Sequence, residues 1–111
     1  MPQFDFDALS ESTLDQIREA LDASGTDADV EIKAEGVLEI EFEDGSKMII
    51  NRHRAAREIW VAARAGGFHF RWDGTAWRDT RDGAELFAAL SRLVSAQHGA
   101  PVVLAAPPAA A

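Results

Sequence analysis

The sequence contains no cysteine, and this absence excludes several kinds of chemistry at once. Disulfide bonds, thiolate nucleophiles and zinc or clusters ligated by cysteine are all ruled out. No apolar run approaches the ~18 residues that a membrane-spanning helix needs. No basic segment is followed by the hydrophobic stretch of a signal peptide. We therefore expect a cytoplasmic protein that has no membrane partner.

The motifs of common enzymes are also missing. There is no glycine-rich phosphate loop, no G-x-S-x-G motif and no Ser/His/Asp grouping near a recognisable turn. His53, His69 and His98 are scattered and lack the spacing of metal ligands. His69 is predicted to be an ordinary surface histidine, with a supplementary metal ligand as the alternative. We expect a protein that is not an enzyme.

Positive charge is scarce in the first half of the 111 residues. Residues 1–46 hold fourteen acidic and two basic side chains, a net charge of −12. Residues 47–111 hold five acidic and nine basic side chains, a net charge of +4. This asymmetry indicates a first half that attracts cations. It argues against nucleic acid as the main partner, because phosphate binding needs a basic patch. A small basic surface around Arg52, Arg54, Arg57 and Arg64 remains compatible with this distribution.

The hydrophobic pattern predicts one α+β domain of an ordinary size. Helical periodicity covers residues 5–24, and a second helix is predicted to follow a capping box at Asp82–Glu85 and to reach about Gln97. The segments between them alternate like strands. We predict a two-layer α/β sandwich, with two helices packed on one face of a five- to six-stranded antiparallel sheet. The domain spans residues 1–99, and residues 100–111 form a partly disordered tail in which Val102–Leu104 docks between the helices.

Residues 37–52 form the clearest predicted hairpin. A three-residue loop places Leu38 and Ile40 in the core opposite Ile50 and Met48, whereas a two-residue loop would mix the two faces. The opposite, solvated face then carries Glu39, Glu41, Asn51 and Trp60. An exposed tryptophan is a common interface anchor; the alternative is that a bulge buries Trp60.

A set of carboxylates follows one edge of the first helix and continues into the first strand. We call this set the acidic ridge; it comprises Asp7, Glu11, Asp15, Glu19, Asp22, Asp27, Asp29 and Glu31. Crowded carboxylates without imidazole or thiolate suit hard or borderline cations: Ca²⁺, Mg²⁺, Mn²⁺, Fe²⁺ or Fe³⁺. A simple solvated face is the more frequent explanation of such a charge pattern. Any metal site on the ridge is predicted to be shallow, hydrated and weak.

Four segments stand out: GVLEIEFEDGSKMIINRH at 36–53, EIWVAARAGGFHF at 58–70, Trp77, and RDGAELFAAL at 81–90. Together they resemble the bacterial frataxins across about residues 4–99. The resemblance implies the frataxin fold and an iron-binding protein that modulates iron–sulfur cluster assembly. It also implies docking on the complex of a cysteine desulfurase with the iron–sulfur scaffold protein, which slows cluster formation when iron is plentiful.

The resemblance also assigns the site residues. The implied weak surface ligands of Fe²⁺ or Fe³⁺ are Glu11, Glu19, Asp22, Asp27, Asp29 and Glu31. The predicted partner-binding residues are Asp15, Glu39, Glu41, Asn51 and Trp60. Arg18, Ala23 and Gly25 stand where acids are common in the bacterial family. The ridge therefore has fewer carboxylates at the end of the helix.

Two other functions remain open at this point. One is an acidic protein-interaction module with no physiological metal, and the other, which we favour least, is an iron oxidase that stores Fe³⁺. We expect a monomer that forms oligomers only when iron induces them.

Overall fold

Two helices enclose a series of six strands along the chain. The computed structural model describes residues 5–34 and 36–105. The elements are α1 (Phe6–Ala23), β1 (Ala28–Ala34), β2 (Val37–Phe42), β3 (Lys47–His53), β4 (Glu58–Ala63), β5 (Gly66–Trp72), β6 (Trp77–Asp79) and α2 (Leu86–His98). The predicted order of helix, strands and helix is confirmed.

Helix α1 begins and ends close to its predicted bounds. The Asp5 side chain caps it by accepting a hydrogen bond from the Ala8 amide at 3.1 Å. Beyond its C-terminus, Gly25 adopts a φ of 71°, a conformation that favours glycine. The buried stripe of the helix includes Leu14, Ile17 and Leu21. Among the described residues, no helix is long and apolar enough to cross a membrane.

The six strands form one antiparallel sheet in the order β1-β2-β3-β4-β5-β6. The hairpin of β2 and β3 has the three-residue loop that the alternation predicts, since Ile40 lies opposite Met48 and Leu38 opposite Ile50. Gly45, with a φ of 86°, closes this loop. In this register β2 and β3 direct all their large apolar side chains except Val37 and Ile49 to one face.

The apolar face of the sheet and both helices share one core, which confirms the two-layer α/β sandwich. Members of this core from the sheet include Ile40, Ile50, Ile59 and Phe70, all at 0% exposure. We call this the inner face, and the other the outer face. Trp77 also enters the core, and its indole donates a hydrogen bond to Thr13 of α1 at 3.0 Å.

Helix α2 begins later than the predicted capping box implies. Glu85 is the N-cap, and its carboxylate accepts hydrogen bonds from the amides of Phe87 and Ala88 at 2.8 and 3.1 Å. Asp82 instead accepts from the Ala84 amide inside the preceding turn. The prediction that Asp82 caps the helix is therefore wrong. The physical reason is a β-bridge between Arg78 and Glu85, which keeps Glu85 in an extended conformation directly before the helix.

The first residues of the predicted tail are packed against α2. Ser95 Oγ accepts from the Val102 amide at 2.8 Å, and Ser91 Oγ accepts from the Leu104 amide at the same distance. Val102 and Leu104 are 9% and 3% exposed, so this segment packs on α2. Its position between the two helices stays a prediction. The stretch 106–111, which we predicted to be disordered, lies outside the described residues.

Candidate functional site

Helix α1 presents the first part of the acidic ridge to solvent. The five carboxylates repeat every three or four residues, which is close to one helical turn, and so they share one side of α1. All five are exposed: Asp7, Glu11, Asp15, Glu19 and Asp22. The structure therefore brings these predicted residues together on a single side of the helix.

Strand β1 carries the ridge from the helix to the outer face of the sheet. Asp29 and Glu31 are exposed on β1, which is an edge strand, and Asp27 precedes it. Asp29 lies directly opposite Glu41 of β2, and Glu31 lies opposite Glu39. The ridge is thus continuous with the two predicted partner-binding carboxylates of β2.

An open cleft separates the end of α1 from the start of β1. Its volume is about 630 Å³, and its lining includes Glu19, Asp22 and Asp27. Arg18 also lines this cleft. These three predicted metal-ligating residues therefore face one solvent-filled space, although they come from two separate segments of the chain.

Internal cations neutralise only part of the ridge. Asp7 pairs with Arg54 at 3.1 Å, Glu31 pairs with Lys33 at 3.0 Å, and Asp15 lies 3.9 Å from Arg18. The Lys33 pair raises the pKa of that ammonium group, chiefly through the hydrogen bond to Glu31. Within residues 5–34 and 36–105, no ion pair reaches Glu11, Glu19, Asp22, Asp27 or Asp29.

The ridge has no preformed metal cage. In the described part of the chain, no three carboxylate or imidazole side chains lie close enough together to hold one ion. A cation at this surface would bind to one or two carboxylates and keep most of its water. This arrangement suits electrostatic attraction of cationic partners over a broad area and weak binding of hard metal ions.

The outer face beside the ridge is more balanced in charge than the sequence suggests. The Glu39 side chain is only 15% exposed and lies 3.8 Å from Lys33 and 3.4 Å from Lys47. Glu41 is exposed. Among the predicted partner-binding acids of β2, Glu41 is therefore the one whose charge is open to a partner.

Trp60 lies on the outer face, opposite Asn51 on β3 and His69 on β5, as strand alternation predicts. It is half-buried because an imidazole covers each face of its ring. The His53 ring stacks at 3.8 Å and 10° between planes, and the His69 ring stacks at 4.5 Å and 11°. His69 is exposed at the surface, as predicted, and it also stacks on the Trp60 indole.

Glu58 is the residue of this surface that the sequence analysis missed. It is only 6% exposed, although it lies on the outer face two residues before Trp60. Its Oε1 accepts from the Trp60 indole at 2.9 Å, and its Oε2 accepts from Arg71 at 2.7 Å. The sequence does contain one signal for this contact: Glu58 and Trp60 are two residues apart on a strand, so their side chains lie on the same face.

The four arginines that could share a basic surface do not form one patch. Arg52 is 9% exposed and donates to the Asp7 carbonyl, and Arg54 bonds the Asp7 carboxylate. Arg64 pairs with Asp44 in the hairpin loop. Within the part of the chain that the structure describes, Arg57 is the one of these four residues that is exposed and forms no ion pair.

Comparison with known proteins agrees with this geometry. A sequence model of the frataxin-like domain matches residues 1–100. An iron-sulfur cluster assembly protein CyaY from Dechloromonas aromatica is 60% identical over 104 residues, which cover 94% of this chain and 99% of that protein. A CyaY protein of the same description from Janthinobacterium sp. is 56% identical, with 94% of this chain and 96% of that one covered.

Solved structures give the same result. Frataxin from Psychromonas ingrahamii superposes with a TM-score of 0.82 at 30% identity, over 91% of this chain and 95% of that one. Trimeric frataxin from the yeast Saccharomyces cerevisiae has a TM-score of 0.64 at 24% identity over 89% of each chain, and it shares the fold. With a family match over residues 1–100 and relatives identical at more than half of the aligned positions, this chain belongs to the frataxin family.

Proposed function

We propose that this frataxin is a cytoplasmic, iron-binding regulator of iron–sulfur cluster assembly and that it is not an enzyme. Its relatives from Dechloromonas aromatica and Janthinobacterium sp. are named iron-sulfur cluster assembly proteins. The observation that carries the proposal is the set of five ridge carboxylates that no internal cation neutralises in the described residues. Unneutralised like charges destabilise a small domain, so their presence favours an external partner.

The proposed partner is the complex of a cysteine desulfurase with the iron–sulfur scaffold protein. The ridge would attract an arginine- or lysine-rich groove on the desulfurase, which gives fast association that salt slows. Asp15, Glu39 and Glu41 extend this contact. Asn51 and Trp60, on the adjacent outer face, would contact the scaffold protein.

The same ridge would bind Fe²⁺ or Fe³⁺ weakly, through carboxylate oxygens and water. The cleft between α1 and β1 supports this assignment, because Glu19, Asp22 and Asp27 line it. Glu11, Asp29 and Glu31 complete the proposed set of ligands. Bound iron lowers the net negative charge of the ridge, so iron occupancy would couple the iron level to the strength of docking. It would also induce the monomer to form oligomers.

An acidic interaction module with no physiological metal is the second candidate. It is favoured by the absence, among the described residues, of any group of three metal-ligating side chains. Both candidates require the same docking surface, and they differ only in the response to iron.

An anaerobic Fe²⁺ titration followed by amide NMR separates the two candidates. Iron binding predicts selective broadening of amides between Glu19 and Glu31, and a Glu19→Gln/Asp22→Asn variant should lose most of it. A control with the same change in charge, Asp73→Asn/Asp82→Asn, should keep it. Uniform small shifts along the chain would instead support the metal-free module. A desulfurase affinity that saturating Fe²⁺ leaves unchanged at fixed ionic strength would remove the proposed coupling.

A further inference from the structure

Glu58 is a carboxylate buried on a sheet face that otherwise meets water. Burying a carboxylate is costly unless it is paired and hydrogen-bonded. Trp60 and Arg71 supply those bonds, at 2.9 and 2.7 Å, and His69 Nδ1 lies 3.7 Å away. Arg71 comes from the neighbouring strand β5, where it lies directly opposite Glu58. The carboxylate therefore ties strand β5 to the indole of Trp60.

The indole of Trp60 is restrained in every direction except one. Its two faces are covered by His53 and His69, and its N–H is bonded to Glu58. The ring is nevertheless only half-buried, so part of it remains exposed to a partner. A side chain ordered before binding loses less conformational entropy on association, and rigid aromatic anchors of this kind dominate interface energetics.

We propose that Glu58 is the positioning residue of the surface that docks the scaffold protein. It holds the Trp60 indole in the orientation that the scaffold binds, and Arg71 holds Glu58 in turn. This inference rests on the proposed function, because it takes the scaffold protein as the occupant of the outer face.

A double-mutant cycle on scaffold affinity tests this role. Glu58→Ala and Glu58→Gln remove the same charge, but the glutamine keeps an acceptor for the indole N–H. We expect Glu58→Ala to weaken scaffold binding about tenfold, the loss of one hydrogen bond to a charged group, and Glu58→Gln to restore most of it. Trp60→Phe keeps a ring without the N–H. In that background Glu58→Ala should cause no further loss.

Two results would overturn the inference. One is a Glu58→Ala variant that binds as tightly as the parent, and the other is an equal loss in the Trp60 and Trp60→Phe backgrounds. If the unaltered protein does not bind the scaffold at all, the proposed docking fails and this inference fails with it.

A measurement on the free protein is independent of any partner. The Trp60 indole N–H should exchange slowly with solvent in the unaltered protein and in Glu58→Gln, and rapidly in Glu58→Ala. Thermal unfolding verifies that each variant is folded. Equal exchange rates in all three proteins would contradict a positioning role for Glu58, whatever the docking result.

Discussion

Asp29 and Glu41 lie directly opposite each other on the antiparallel strands β1 and β2. Both are exposed, and no ion pair reaches either carboxylate within residues 5–34 and 36–105. Like charges in opposed positions destabilise a sheet. This pair lies where the ridge meets the outer face of the sheet. The repulsion between the two carboxylates, which weakens the fold, is therefore located where the two proposed docking surfaces meet.

Neutralising Asp29 should therefore stabilise the fold and weaken docking. We expect Asp29→Asn to raise the free energy of unfolding by roughly 0.5 kcal/mol, because it removes one member of a repelling cross-strand pair. Urea denaturation at low salt measures the gain. The same substitution in a Glu41→Gln background serves as the control and should give no gain. A loss of stability on Asp29→Asn would show that the carboxylate has a structural role instead.

The hydrogen bond between Trp77 and Thr13 joins the two layers inside the core. Both residues are 3% exposed, so Thr13→Val leaves a buried indole N–H without its acceptor. We expect a loss of about 1–3 kcal/mol in the free energy of unfolding. Thr13→Ser keeps the hydroxyl and should cost clearly less. A Thr13→Val variant as stable as the unaltered protein would contradict a stabilising role for this hydrogen bond.

Neighbouring residues of the tail should differ sharply in their contribution to stability. Leu104 is 3% exposed, whereas Val103 is 78% exposed. We expect Leu104→Ala to cost about 2–4 kcal/mol and Val103→Ala to cost almost nothing. Thermal and urea unfolding of both variants measure the difference. Similar values for the two would mean that the tail does not dock on α2 in solution.

The hairpin loop contains a carboxyl group with a strongly lowered pKa. Hydrogen bonds from the Ser46 hydroxyl and amide, and then from Arg64, lower the pKa of Asp44 from 3.8 to about 2. The pKa of Asp44 is lower in the folded protein than in the unfolded chain, so the ionised carboxylate stabilises the fold. This stabilisation is complete above pH 3.8 and is lost as the pH falls through about 2.

The side-chain carboxyl ¹³C shift of Asp44 should accordingly titrate near pH 2. An Asp44→Asn variant should lack this part of the acid-dependent loss of stability. A titration midpoint close to 3.8 would contradict the hydrogen bonds that the structure places on Asp44.

Local pattern was enough to predict the architecture and the hairpin register. A register shifted by one residue would turn Ile40 and Leu38 to solvent. The alternation of apolar and polar residues was therefore compatible with only the observed register of β2 and β3. The capping prediction at Asp82 failed because the β-bridge between Arg78 and Glu85 overrides the local capping preference of Asp82.

The site was predictable in position and much less so in contacts. Helical spacing places the ridge on one side of α1, but the neutralisation of Asp7 depends on Arg54, 47 residues away. Strand alternation places Trp60 on the outer face, but it cannot show that two imidazoles and Glu58 enclose the ring. Such contacts depend on side-chain conformations in three adjacent strands.

The central claim is that the position of the ridge acids, and not the total negative charge, determines docking. The most direct measurement is the affinity for the desulfurase–scaffold complex at low and high salt, for two variants that each lose two negative charges. Glu19→Gln/Asp22→Asn should bind at least about tenfold more weakly at low salt, with the difference shrinking at high salt. Asp73→Asn/Asp82→Asn, which alters the turns on either side of β6 at the opposite edge of the sheet, should bind like the unaltered protein. Equal weakening of both variants, or of neither, would contradict the account.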